Sequence, residues 1–305
     1  MKIILLVALA LSLSHTTLAQ RAECFPFERL SQEKQRVAEE LLLKALDSEA
    51  LYTLVGGLKP MSSGFTSFDF QVREVRGISP ERAEELLANY PDAKSRESLS
   101  AEAKREVSLA ESLKRRTDAL SNIDSTREIL RHFRCDDRIF ADIQHFGRTF
   151  EGRRSLQAVV FNLPSLESKI REKAGFFERF GVTPNSHPLQ ILYAVDYEET
   201  SARFAGYGYL FGYPDNAVRF FVQAADEENF TGRFVERDFL SLPTFSSPTN
   251  RFVYAVPKGH VETEEDRQLK EKALIIFEEY KKWRELYIGE GKKGVVEMMR
   301  DWLLR

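Results

Sequence analysis

Leu51-Tyr52-Thr53-Leu54-Val55-Gly56-Gly57-Leu58-Lys59-Pro60-Met61-Ser62-Ser63-Gly64-Phe65-Thr66-Ser67-Phe68-Asp69-Phe70-Gln71-Val72-Arg73 is where the hydrophobic period of the chain changes. The apolar stretch from Ala50 to Val55 runs into Gly56-Gly57 and then Pro60, which stops a helix because its ring fixes φ and it has no N–H. Beyond Gly64 the spacing becomes two: Phe68, Phe70 and Val72 alternate with Asp69, Gln71 and Arg73, the pattern of a half-buried strand. Helix and strand therefore meet across one glycine-bracketed loop.

Working outward from that loop, helices dominate. Val37, Leu41 and Ala45 recur at four-residue spacing with Ala38, Leu42 and Leu46 beside them, so Ser31 to Leu46 is an amphipathic helix. Ser79-Pro80 opens a second helix that Pro91 closes. Ser98 to Leu120 is charged, with a thin stripe of Val107, Ala110 and Leu113, as expected of a solvated helix. Two short helical stretches are expected around Ile129 to Phe146, then a strand over Leu156 to Phe161 and a helix carrying Leu166, Ile170, Ala174 and Phe177. Tyr213-Pro214-Asp215 opens another helix. Phe239 to Phe245 and Arg251 to Val256 read as strands joined by Ser246-Ser247-Pro248-Thr249-Asn250. Thr263, with Asp266 three residues on, caps the longest helix, and Gly294 to Leu304 forms the last. The expected class is α+β: mostly helical, with a few short strands forming a small sheet packed against helices. Residues 20–305 are expected to form one globular domain with a charged helical excursion near 79–125.

The first nineteen residues have the build of a secretory leader: Lys2, an uncharged run from Ile3 to Leu11, and small side chains at Thr17 and Ala19. Cleavage is expected after Ala19, giving an exported, soluble protein in the periplasm or outside the cell. The run is too short to span a bilayer, which needs about 20 apolar residues, and no later stretch does better. A formal net charge of −3 gives no general drive towards nucleic acid or anionic membranes, so neither is an expected partner. The chain has two cysteines, Cys24 and Cys135, and in an oxidising compartment they are expected to pair.

Two phrases resemble sequence found elsewhere. Leu51 to Phe65 is similar to a fixed phrase of exported bacterial hypothetical proteins. Gly208-Tyr209-Leu210-Phe211-Gly212-Tyr213-Pro214-Asp215 resembles a phrase in uncharacterised bacterial proteins, among them a small domain of unknown function that reads Phe-Leu-Gly-Tyr-Pro ahead of a helix. The resemblance implies a bacterial, exported protein and brings no activity with it.

No complete catalytic signature is present. His132, His145, His187 and His260 include no pair at the four-residue spacing of a zinc-binding helix face, and no metal or cofactor is expected. Ser31-Gln32-Glu33-Lys34 fits a Ser-x-x-Lys pattern without its companion motifs, and Ser31 reads better as a helix cap. Ser62 and Ser63, beside Lys59 in the glycine-bracketed loop, offer hydroxyls and backbone N–H groups to an oxyanion, with His187 as a general base. Asp196, Glu198 and Arg203, with Tyr207, Tyr209 and Tyr213 among the glycines that follow, form the candidate ligand-binding stretch. The leading expectation is a binding or interaction protein for a small molecule, glycan or protein. The alternative is an exported hydrolase built on Lys59, Ser62 or Ser63, and His187. On either reading the loop Lys59 to Gly64 meets the segment His187 to Tyr213, and Lys59 and His187 are exposed.

Overall fold

A computed structural model describes residue 21 and residues 23–246 and 252–304. The leader, its cleavage site and the turn Ser247 to Asn250 lie outside the described residues. The fold is α+β. Its helices are α1 (Gln32–Leu46), α2 (Leu51–Leu54), α3 (Pro80–Asn89), α4 (Ala101–Leu130), α5 (Leu163–Glu172), α6 (Ala174–Phe177), α7 (Pro188–Tyr197), α8 (Thr200–Leu210), α9 (Asp215–Thr231), α10 (Glu264–Tyr287) and α11 (Val295–Leu303). The strands are β1 (Met61–Gln71), β2 (Ile139–Phe150), β3 (Arg153–Asn162), β4 (Arg237–Leu242) and β5 (Phe252–Pro257). One sheet has the order β1-β3-β2 and the other is the antiparallel pair β4-β5. Among the described residues, no helix is long and apolar enough to cross a membrane.

The helix starts follow from local chemistry. Ser31 accepts from the Lys34 N–H and Ser79 from the Arg82 N–H, satisfying donors that the first turn leaves unpaired. Strand β2 corrects the expectation of short helices around Ile129 to Phe146. Ile139, Ala141 and Ile143 are buried at a spacing of two, and the strand turns into β3 through Glu151-Gly152, both at positive φ. That two-residue turn matches the twist of paired strands. The long helix after Leu163 is also interrupted, at Lys173, giving α5 and α6.

The described chain separates into two compact units: residues up to 66, 129–144 and 157 onwards form the first, and 67–128 with 145–156 the second. In the first, Met61, Val159 and Phe161 of the sheet bury against Leu166 and Ile170 of α5, Leu192 and Val195 of α7, and Leu210 of α8. Burying each such side chain contributes about 1.5–3 kcal/mol. Cys24 and Cys135 are disulfide-bonded, with Cα atoms 3.9 Å apart and both side chains buried. In the second unit, Ala83 and Leu86 of α3 pack on Val107 and Ala110 of α4. Arg82 is ion-paired to Glu106 at 3.1 Å and Arg96 to Glu111 at 2.5 Å. The charged stretch 79–125 belongs to this unit.

The start of α10 joins β5 through one buried carboxylate. Asp266 accepts from the Thr263 N–H at 2.9 Å, the Thr263 hydroxyl at 2.7 Å and the Tyr254 hydroxyl at 2.9 Å, and pairs with His260 Nε2 at 2.8 Å. Burial opposes ionisation of Asp266, but hydrogen bonds from His260, Thr263 and Tyr254 outweigh it and hold the carboxyl down to about 2. A depressed carboxyl stabilises the fold above its unfolded pKa, and that contribution disappears as pH falls through the folded value. Asp266→Asn is therefore expected to remove about 2 kcal/mol at neutral pH and to flatten the acid limb of stability between about pH 4 and 2. Denaturant titrations of both proteins across that range check it. Parallel acid limbs would show that the carboxylate contributes nothing there.

Candidate functional site

The glycine-rich phrase at 208–215 is first of all a helix junction. Helix α8 ends in paired bonds, Gly212 N–H to Tyr209 O at 3.0 Å and Tyr213 N–H to Gly208 O at 3.0 Å, with Gly212 at φ 73°. This six-to-one and five-to-two pattern needs a left-handed residue, which glycine adopts without strain. Pro214 then precedes α9, which starts at Asp215. Within α8, Gly206 faces Val195 of α7 and Gly208 faces Val218 of α9, so closely that a Cβ would lie 2.6 and 2.8 Å from their side chains. The small residues let three helices pack side by side.

Gly212 also touches the other phrase. A Cβ there would stand 2.5 Å from the Leu58 carbonyl oxygen and 3.2 Å from the Lys59 Cα. The two loops expected to meet do so at this point, through Leu58, Lys59 and Gly212. Lys59 itself corrects the expectation of an exposed cation, because its side chain is fully buried. The Leu58 and Lys59 N–H groups both donate to the Tyr52 carbonyl, which turns the chain inward. The ammonium lies 2.6 Å from Glu49 and over the rings of Phe252 and Phe211, at 4.4 and 5.3 Å from their centroids. Burial pushes the Lys59 ammonium below its ordinary pKa, and Glu49 opposes the shift.

Ser62 is equally enclosed. Its hydroxyl pairs with that of Thr53 at 2.7 Å and donates to the Glu49 carbonyl at 3.4 Å. A serine nucleophile must reach substrate, whereas these hydroxyls hold α2 against β1. Ser63 is half-buried on β1. His187 has a different set of neighbours from Lys59: it caps α7, accepting from the Leu189 N–H at 3.3 Å, and its ring stands edge-on to Phe140 at 5.0 Å. Its exposure is as expected.

The remaining candidates separate into two groups. Asp196 is buried and accepts from the Tyr207 hydroxyl at 2.9 Å, which in turn accepts from Gln144 at 2.6 Å. Arg203 lies on the same helix as Tyr207, and its Nη1, like Gln144 Oε1, is buried without a hydrogen-bond partner among the described residues. Burial and Asp196 push the Tyr207 phenol far up, so it remains a neutral donor. This is an internal polar chain. Glu198 ends α7 as its C-cap, and Tyr209 packs edge-on against Phe176 with the Lys173 ammonium over its ring. Tyr213 instead stacks on Phe252 and lines a cleft of about 560 Å³.

That cleft lies where the two phrases touch. Leu58, Pro60, Gly212, Tyr213 and Pro214 form its base. One wall is α5, with Ser165, Ser168, Lys169 and Glu172, and the other is α10, with Glu265, Gln268 and Lys272. Lys169 pairs with Glu172 at 2.6 Å, and two lysines face two glutamates in all, so the lining is polar without net charge. Ser165 donates to the Gly57 carbonyl at 2.8 Å, fixing α5 to the loop. No family model, curated protein or solved structure matches the chain. The cleft's chemistry therefore rests on its own residues. Of the residues singled out in the sequence, Tyr213 lines this cleft, and Lys59, Ser62, Ser63 and His187 are not in its lining. Ser168, Gln268 and Lys272 were not singled out, because ordinary polar residues on solvated helix faces carry no local signal.

Proposed function

We propose that this protein is exported and acts by binding, holding an uncharged polar ligand such as a short glycan in the cleft between α5, α10 and the two glycine phrases. The observation that carries the proposal is the contact of Gly212 with Leu58 and Lys59, which brings both phrases to the base of one cleft. A lining of hydroxyl and amide groups with charges balanced in number, with proline and tyrosine faces below it, suits a ligand that presents many hydroxyls and a few apolar faces. The buried disulfide and the leader support export, since such bridges persist in oxidising compartments. On this reading, the two phrases that resemble sequence of bacterial proteins are the parts that form the base of the cleft.

Ser168 is exposed at the rim, so a bulky replacement fills the cleft without entering the core. Titration calorimetry against a panel of neutral oligosaccharides is expected to find a ligand whose affinity falls at least about tenfold, or 1.4 kcal/mol, in Ser168→Trp, with the melting temperature unchanged. Binding that survives Ser168→Trp would place the ligand elsewhere. Release of cleaved sugar would favour the hydrolase instead.

A further inference from the structure

The second unit carries a different kind of site. Where β1 ends, residues 69–76 face α4 across a pocket of about 530 Å³. Its polar lining is dominated by Arg73, Arg76, Arg115, Arg116 and Arg153, facing the carboxylates of Asp69 and Glu74, an excess of three positive charges. The whole chain has a formal net charge of −3, so this concentration runs against the general balance.

The pairing of these arginines separates them. Arg76 is held by Glu74 at 2.7 Å, and Arg115 lies 3.5 Å from Glu111 on its own helix. Arg116 is bonded to neutral groups: its Nη1 donates to the Gln71 carbonyl at 2.6 Å and the Arg73 carbonyl at 3.4 Å, and its guanidinium lies 4.5 Å from the Phe70 ring centroid. Those contacts fix the group's orientation and leave its charge uncompensated. Arg73 and Arg153 make no ion pair among the described residues. The β2–β3 turn is pinned beside them by the Val72 N–H, which donates to the Gly152 carbonyl at 3.0 Å. Phe70, Val75, Leu109 and Ala119 supply an apolar lining.

We propose that this pocket is a binding site for a small molecule bearing two or more oxyanion groups. A guanidinium presents a planar fork of donors that matches carboxylate, sulfate or phosphate oxygens in pairs, and a fork already oriented loses little freedom on binding. Three such groups around one pocket, two of them without ion-pair partners and one bonded only to neutral acceptors, call for a ligand carrying two or three negative charges. The volume admits a compact molecule, and the acidic balance of the chain disfavours a long polyanion.

The test is calorimetric titration of the mature full chain at low ionic strength with citrate, pyrophosphate and a disulfated disaccharide, which present carboxylate, phosphate and sulfate in turn. Saturable one-to-one binding of at least one probe is expected, weakening as salt shortens the screening length to about 10 Å at 0.1 M. Arg153→Gln and Arg116→Gln should each weaken it by about tenfold or more, while Ser168→Trp leaves it unchanged. Arg153→Gln decides alone if Arg116→Gln alters the melting curve, because the Arg153 side chain supports no ion pair. No binding of any probe, or binding equal to wild type in Arg153→Gln, overturns the proposal.

Discussion

Lys59→Ala is expected to lower the unfolding free energy by about 3–5 kcal/mol, the range for removing one partner of a buried ion pair. The truncation strands Glu49, 2.6 Å from the lost ammonium, and empties the space in front of Phe211 and Phe252. Urea denaturation followed by circular dichroism measures it. The double change Lys59→Met with Glu49→Gln should recover most of the loss, since replacing both members of a buried pair is far milder than breaking it. A pH signature accompanies this. Burial lowers the Lys59 pKa, so the unfolded chain binds the extra proton, and wild-type stability should rise with pH from the folded value towards 10.5. Lys59→Met should lack that rise. A loss below about 1 kcal/mol in Lys59→Ala would class the contact with exposed pairs and overturn the account of a buried one.

Removing the disulfide should have an effect of similar size. Cys24 and Cys135 are separated by 111 positions, and the chain-entropy model assigns closure of such a loop about 5 kcal/mol. The double Cys24→Ser, Cys135→Ser protein is expected to unfold at correspondingly lower urea. Wild type treated with reductant under denaturing conditions and then refolded should match it. Because both sulfurs are fully buried, alkylation of the native protein should need unfolding as well as reductant. Equal midpoints for the two proteins would assign the fold's stability to packing alone.

Features decided within a few residues were legible in the sequence. Ser31, Ser79-Pro80 and the Thr263–Asp266 box mark helix starts because the capping side chain and the N–H groups it serves lie within one turn. Strand β2 was harder to read. Its buried positions alternate, but they are occupied by Ile139, Ala141 and Ile143, with Phe140 between them and Gln144 buried at the end, which blurs a period of two. The burial of Lys59 was not legible at all. Glu49 lies ten positions away, and the two rings that enclose the ammonium come from α8's end and β5. A lysine in a glycine-bracketed loop looks like a surface group until those distant elements arrive. The cleft follows the same division: Tyr213 was singled out from its own phrase, while the walls come from helices remote in sequence.

The last helix has a consequence for how the chain is made. Arg300 donates to the carbonyls of Cys24 and Phe25 at 2.8 and 3.2 Å and pairs with Glu28, while Arg21 pairs with Asp301 and Glu297. The earliest and latest described residues thus share one joint. A polypeptide emerging amino end first, from the ribosome or through a membrane pore, exposes Cys24 long before Arg300 exists to hold its carbonyl. The disulfide to Cys135 and the bond from the Phe25 N–H to the Arg134 carbonyl need only the first half of the chain, whereas the bonds from Arg300 wait for α11. The amino-terminal segment is therefore held in two stages, first by residues 133–135 and then by Glu297, Arg300 and Asp301, and the second stage requires both ends of the described chain in one compartment.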